Sequence, residues 1–291
     1  MALKVLKPTT PTRRHTILVD YSKEITKNVK PVKRLLKSVK YDAGVNSNGR
    51  ITVRHKGGRV QRMYRIIDFK RDKLDVPATV EAIHYDPNRT SNIALLKYAD
   101  GERRYIIAPD GLVVGNKVIS GPEVPVRLGN AMPLKKVPSG SFVHNVEMIK
   151  GQGGVLGRSA GTSIQIQGGT KGYIQLKMPS GEIRVVREEC YATIGNVGNA
   201  DIKNVKIGKA GRKRKMGIKP TVRGVAQSGG KHPHGDGQGK SGRHGPGGPA
   251  QDPWGNRQGT RTRNNKVTNK YIIHRRPNKK GRKSKKYKTI I

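Results

Sequence analysis

The residues most suggestive of chemistry lie close together in the last third of the chain. Gly235-Asp236-Gly237-Gln238-Gly239-Lys240-Ser241 imitates the glycine-rich loop whose N–H groups cradle phosphates, with a Lys on the terminal phosphates and a hydroxyl on magnesium. That loop needs Gly five positions before the Gly of Gly-Lys-Ser, and His234 stands there. No apolar strand leads into it, so nucleotide hydrolysis is excluded. The stretch from Gly151 to Gly161, opening with Gly151-Gln152-Gly153-Gly154, likewise misses the dinucleotide-binding spacing. His232 and His234 flank Pro233, with Asp236 and His244 nearby. Two imidazoles on one stiff dipeptide could move a proton near neutrality or help hold a metal. They could equally stack on bases, bond phosphate or face water. Amid Gly, Lys and Arg, contact with RNA is the use that fits the surroundings.

What surrounds these residues is charge. Sixty Lys and Arg stand against 19 Asp and Glu in 291 residues, a formal net charge of +41. Such an excess calls for a polyanion, because each neutralised phosphate releases condensed counterions. No run approaches the length of a spanning helix and no basic amphipathic helix carries an aromatic face, which argues against a membrane partner. Hydrophobic residues make up 33% of the chain, with two Phe and one Trp, enough to build one or two small cores. The lone Cys190 excludes an internal disulfide and a four-cysteine zinc site, and suits a reducing compartment. Arg13, Arg14 and the early threonines superficially suit an organellar transit peptide, but no apolar secretory stretch is present.

The charge is unevenly laid out. Residues 1–40 carry 11 basic and 2 acidic side chains, 41–200 carry 23 and 14, and 201–291 carry 26 and 3. The middle zone predicts short strands at 51–54, 60–67, 78–85, 92–98 and 103–108, then at 142–149, 163–167, 173–178, 183–186 and 191–194. Asp86-Pro87-Asn88, Ala99-Asp100-Gly101, Pro109-Asp110-Gly111 and Pro179-Ser180-Gly181 supply the turns. The first set suggests an OB-type barrel and the second an SH3-like one. Beyond 200 only 201–216 offers a weak helical face, through Ile202, Val205, Lys206 and Lys209. The rest is Gly, Pro, His, Lys and Arg, a composition that does not fold alone. Trp254 has nothing apolar near it in sequence and suits stacking on a base. Lys279-Lys280-Gly281-Arg282-Lys283-Ser284-Lys285-Lys286 is a like-charge block that needs phosphate to screen it.

Ordered motifs run along nearly the whole chain: Lys7-Pro8-Thr9-Thr10-Pro11-Thr12-Arg13-Arg14, His55-Lys56-Gly57-Gly58, Tyr64-Arg65-Ile66-Ile67-Asp68-Phe69-Lys70-Arg71, Tyr85-Asp86-Pro87-Asn88-Arg89, Tyr105-Ile106-Ile107-Ala108-Pro109, Val143-His144-Asn145, Arg158-Ser159-Ala160-Gly161-Thr162, Gly208-Lys209-Ala210-Gly211-Arg212, Pro220-Thr221-Val222-Arg223-Gly224 and His232-Pro233-His234-Gly235. In these the chain closely resembles the bacterial ribosomal protein L-two family of the large subunit. The resemblance implies a mainly β fold: a basic N-terminal arm (1–40), an OB-fold RNA-binding domain (41–122), an SH3-like barrel (123–199) and a basic, Gly-rich extension threaded into ribosomal RNA (200–291). It implies a primary binder of large-subunit RNA near the peptidyl-transferase region, supporting subunit association, tRNA binding and translation, and touching small-subunit RNA at an intersubunit bridge. Other ribosomal proteins are expected partners, whereas a membrane or a second copy is not. The place implied is the ribosome of the cytoplasm or, alternatively, of a plastid, and the arm matches the mature family N-terminus.

No catalytic residue and no cofactor or protein-held metal is expected, RNA-associated magnesium being the ion that could accompany such a chain. The residues expected to touch RNA are His55, Lys56, Arg59, Arg62, Arg65, Lys70, Arg71, Arg89, Arg158, Lys209, Arg212, Lys213, Arg214, Lys219, Arg223, His232, His234, Lys240, Arg243, Trp254, Arg261, Arg263 and Lys266. Two departures from the family pattern matter. Arg59-Val60-Gln61-Arg62 replaces the usual Gly-His-Lys-Arg, and Gln227-Ser228-Gly229-Gly230-Lys231 replaces Met-Asn-Pro-Val-Asp. Lys231 thus stands where an aspartate would favour an imidazolium, which undermines a proton relay at His232.

Overall fold

The computed structural model describes residues 2–237, 249–260 and 267–276. By compactness these fall into two units, one from 2–40, 61–208 and 267–276, the other from 41–60, 209–237 and 249–260.

The larger unit is almost wholly β. β1 (Ala2–Val5) and β2 (Ile17–Asp20) form an antiparallel pair, joined through the four-residue helix α1 (Pro11–Arg14). Thr10 caps that helix by accepting the Arg13 N–H, and Pro11 occupies the first turn, where an N–H would have no helical partner. β3 (Leu36–Lys37) pairs with β4 (Tyr64–Arg65), and a parallel bridge from Ile67 to Tyr105 lays this segment along the next sheet.

That sheet consists of β5 (Ala78–His84), β6 (Ile93–Tyr98), β7 (Arg103–Ile107) and β8 (Lys117–Val118), in the order β7-β6-β5-β8. β6 is covered on both faces. Ala94, Leu96 and Tyr98 pack with Val80, Ile106 and Val118, while Ile93 and Leu95 pack with Ile67, Ala82, Tyr105, Ile107 and Val197. A sheet with cores on both sides and one edge taken up by the Ile67 segment is barrel-like, consistent with the OB type.

The second sheet comprises β9 (Ala131–Pro133), β10 (Phe142–His144), β11 (Ile164–Thr170), β12 (Tyr173–Lys177), β13 (Ile183–Arg187), β14 (Tyr191–Ile194) and β15 (Ile272–His274). Its order, β15-β13-β12-β11-β10-β14-β9, wraps around Met132, Leu134, Val143, Ile164, Ile166, Leu176 and Ile194. The hairpin at Pro179-Ser180-Gly181 closes as expected: Met178 N–H donates to Glu182 O at 2.8 Å and Gly181 turns at φ +82°.

Several expected elements differ. No strand forms at 51–54, because Asn46 Oδ1 draws in the N–H groups of Asn48 and Arg50 and leaves a single bridge between Val45 and Ile51. Only β4 survives from 60–67. β10 stops at His144, because Asn145 takes φ +50° and breaks the extended run. The face expected over 201–216 divides into a 3-10 turn at Ala200–Asn204 and α2 (Ala210–Lys215). Gly208 separates them at φ +75°, where a Cβ would lie 2.0 Å from Thr16 Oγ1. β9 and β15, three residues each, are too short to show in sequence. Among the described residues no helix is long and apolar enough to cross a membrane.

Candidate nucleic-acid interface

In the larger unit four of the expected arginines converge. Asp86 is fully buried in the turn after β5; its carboxylate accepts Arg89 Nε at 2.6 Å and stands 3.7 Å from the Arg65 guanidinium. Asn88 N–H also donates to it, at 2.9 Å, so the turn that Pro87 enforces holds the acceptor in place. Arg62 donates to the Pro87 carbonyl. Arg89 lies 5.7 Å from the centres of both the Tyr64 and Phe69 rings, and Arg158 lies 4.5 Å over Phe69. Arg158 also donates to the Gly154 carbonyl at 3.2 Å. The guanidiniums are therefore oriented by a carboxylate, carbonyls and aromatic faces, and Arg158 is left exposed.

Not every basic residue of this unit is so placed. Lys70 is exposed, whereas Arg71 is 3% exposed, donates toward the Gly129 carbonyl and is a bracing group rather than a surface cation. Arg104 bonds Glu102 at 2.6 Å and Asp68 at 3.1 Å, and Lys73 bonds Glu102 at 2.8 Å. On that face cations and carboxylates neutralise each other.

The glycine-rich loop at 151–154 has no free cradle to offer. Glu147, 2% exposed, accepts the N–H groups of Gly153 at 2.9 Å, Tyr191 at 3.1 Å and Gly151 at 3.3 Å. Gln152 and Gly154 donate to the Ile149 and Phe69 carbonyls. The loop thus encloses the protein's own carboxylate and fixes Phe69 under Arg158.

Two further groups are core, not chemistry. His144 donates through Nδ1 to the Gly195 carbonyl at 2.8 Å, and burial pushes its pKa down to about 4. Burial pushes the Cys190 thiol up to about 11, so it is a packing residue and not a nucleophile.

In the smaller unit the His55–Val60 stretch pairs with the last residue of α2 and the chain that follows it. Lys219 N–H bonds His55 O, Gly57 N–H bonds Gly217 O and Val60 N–H bonds Lys215 O, each at 3.0 Å. Arg59 lies 4.0 Å over the Tyr41 ring, whose hydroxyl donates to Gly217 O. This pairing gathers Lys56, Arg59, Lys219 and the basic run of α2, Arg212, Lys213, Arg214 and Lys215, whose charge complements the carbonyl end of the helix. Lys209, Arg223 and Trp254 are exposed, and His55 is half-buried. His232 is buried and His234 half-buried. Burial, followed by His234 and Arg54, lowers the His232 pKa, with Asp252 opposing. The carboxylate of Asp236 lies against Gly229.

Lys240, Arg243, Arg261, Arg263 and Lys266 lie outside the described residues, as do His244, the Gly-Lys-Ser triplet and the block at 279–286. Among the described residues no group of three or more His, Cys, Asp or Glu could hold a metal. Asp86, Phe69, Tyr41 and Glu147 were not singled out by sequence. Of these only Asp86 left a signal, its spacing of three from Arg89 across a Pro turn.

Barrel-like sheets, a large positive excess and guanidiniums oriented on aromatic rings define a basic RNA-binding protein of mainly β structure. Residues 32–120 match the family described as Ribosomal Proteins L2, RNA binding N-terminal domain, and residues 127–255 match Ribosomal Proteins L2, C-terminal domain. The large ribosomal subunit protein uL2 of Paracoccus denitrificans (strain Pd 1222) is 54% identical over 286 residues, which is 97% of this chain and 100% of the relative. The chain belongs to the ribosomal protein L2 family, of bacterial type. Members of that family are structural proteins of the large subunit and not enzymes.

Proposed function

We propose that the chain is a primary binder of large-subunit ribosomal RNA near the peptidyl-transferase region, supporting subunit association, tRNA binding and translation and touching small-subunit RNA at an intersubunit bridge. The functional parts are the arm (1–40), an OB-fold RNA-binding domain (41–122), an SH3-like barrel (123–199) and the extension (200–291), with other ribosomal proteins as neighbours in a cytoplasmic ribosome.

The observation that carries this role is the fixing of Arg62, Arg65, Arg89 and Arg158 around Asp86 and Phe69. A guanidinium already held by a carboxylate, a carbonyl or a ring loses little further freedom when it meets a phosphate. Such contacts position without reading sequence, so specificity comes from the shape of the folded RNA. Lys70 adds to this basic face, with Arg71 bracing it from inside; in the smaller unit His55, Lys56, Arg59, Lys209, Arg212, Lys213, Arg214, Lys219 and Arg223 supply a basic surface of their own, with His232 and His234 shaping the extension.

The test is binding of the full chain to a large-subunit RNA fragment as salt is raised. Neutralising ~10 phosphates gives a log–log slope of roughly −7 to −9. A slope near zero would remove the electrostatic basis of the role.

A further inference from the structure

Two imidazoles and one indole in the smaller unit form an arrangement that phosphate binding does not explain. The His232 ring lies face-on to Gly224: a Cβ on that glycine would sit 2.4 Å from Cε1, 2.6 Å from Nε2 and 2.7 Å from Nδ1. Nδ1 of His232 accepts the His234 N–H at 3.1 Å, and Nε2 of His234 accepts the Gln251 N–H at 2.8 Å. A backbone N–H can only donate, so both of these ring nitrogens act as acceptors.

These bonds tie the His-Pro-His segment to the start of a tight hairpin. Gln251 bridges to Arg257, and the Asp252 N–H bonds Asn256 O at 3.0 Å. Asp252 Oδ1 accepts the N–H groups of Trp254 at 2.9 Å and Asn256 at 2.8 Å, and Oδ2 accepts Asn256 Nδ2 at 2.9 Å. At the tip Trp254 is 55% exposed. A large, partly exposed ring on a tied backbone suits a planar ligand.

We propose that His232 and His234 are positioning residues, a clasp of two imidazole acceptors that holds the hairpin so that Trp254 offers a stacking platform to an unpaired RNA nucleobase. The inference rests on the RNA-binding role above and gives the His-Pro-His segment a use that needs no proton transfer. Base–aromatic stacking is worth about 1–3 kcal/mol, on the order of 5- to 150-fold in affinity.

Trp254 is the chain's one tryptophan, so its fluorescence reports the platform directly. Titrating the full chain with a short single-stranded oligoadenylate should quench the indole. His232→Ala and His234→Ala should lower the fluorescence anisotropy of Trp254 in the free protein and weaken oligoadenylate binding about 5- to 10-fold. His232→Asn, whose Oδ1 takes the place of Nδ1, and His234→Gln, whose Oε1 takes the place of Nε2, should stay within about 2-fold of the parent, since each retains the acceptor. The clasp is refuted if Asn and Gln behave as Ala does, or if Ala leaves the anisotropy unchanged. An unquenched indole in a chain that still binds large-subunit RNA with a steep salt slope would sink the platform and leave the RNA-binding role standing. Loss of that slope would overturn both.

Discussion

The carboxylate of Glu147 accepts the backbone N–H of Gly153 at 2.9 Å, inside a loop whose composition alone suggests a phosphate cradle. The anion that loop binds is part of the protein. Its other bonds, to Gly151 and Tyr191, join the loop to β14, and Gly154 N–H reaches Phe69 O at 2.8 Å.

Replacing Glu147 by Ala leaves three N–H donors without their acceptor. Hydrogen bonds to a charged group contribute about 1.5–3 kcal/mol each and are not additive, so an overall loss of roughly 2–4 kcal/mol is expected in urea unfolding. Amide exchange should quicken first at Gly151, Gly153 and Tyr191. A variant within about 0.5 kcal/mol of the parent would mean that something else holds the loop.

Asp86→Asn separates orientation from charge. It raises the net positive charge, so bulk electrostatics alone would tighten RNA binding. The geometry says the opposite, because Arg89 and Arg65 lose the carboxylate that aims them. RNA affinity should fall while the salt slope stays near the parent's, since no contacting cation is removed, and stability should drop by about 2–4 kcal/mol through the guanidiniums left without their buried partner. Tighter binding by the variant would refute the orienting role.

His144 makes the second sheet acid-sensitive. Burial holds its pKa near 4 in the fold, against an ordinary value of 6.5. Above pH 6.5 both folded and unfolded chains are neutral at this ring and its contribution is complete. As pH falls from 6.5 toward 4 the unfolded chain takes up a proton that the folded chain refuses, so stability is lost, by about 3 kcal/mol in total. His144→Asn keeps a donor for the Gly195 carbonyl without the titration. The stability difference between parent and variant, followed by urea unfolding from pH 8 to pH 4, should be flat above 6.5 and shift against the parent below it. A difference that does not change with pH would rule out this assignment.

Much of the fold was legible in sequence. The hairpin at Pro179-Ser180-Gly181 and the strands β5, β6, β7, β12, β13 and β14 follow from β-branched runs between turn residues, which depend on neighbours a few positions away. β15 was not, because three residues amid a basic tail become a strand only when the edge of β13 supplies their hydrogen-bond partners.

The same division holds at the interface. Sequence alone determined the positive excess, its concentration after residue 200, the absence of phosphate-loop spacing and the isolation of Trp254, since these are matters of residue type and order. Tertiary structure decided which cations face outward. Arg71 and Arg158 are both basic residues in family-like motifs, yet one is enclosed and the other lies exposed over Phe69. It likewise decided that Gly153 serves Glu147 and that His232 is pressed against Gly224. Each of these depends on which groups the fold brings within reach to accept a hydrogen bond or to exclude water, from as far as Gly129 for Arg71 and Phe69 for Arg158, and residue type and order alone do not say which.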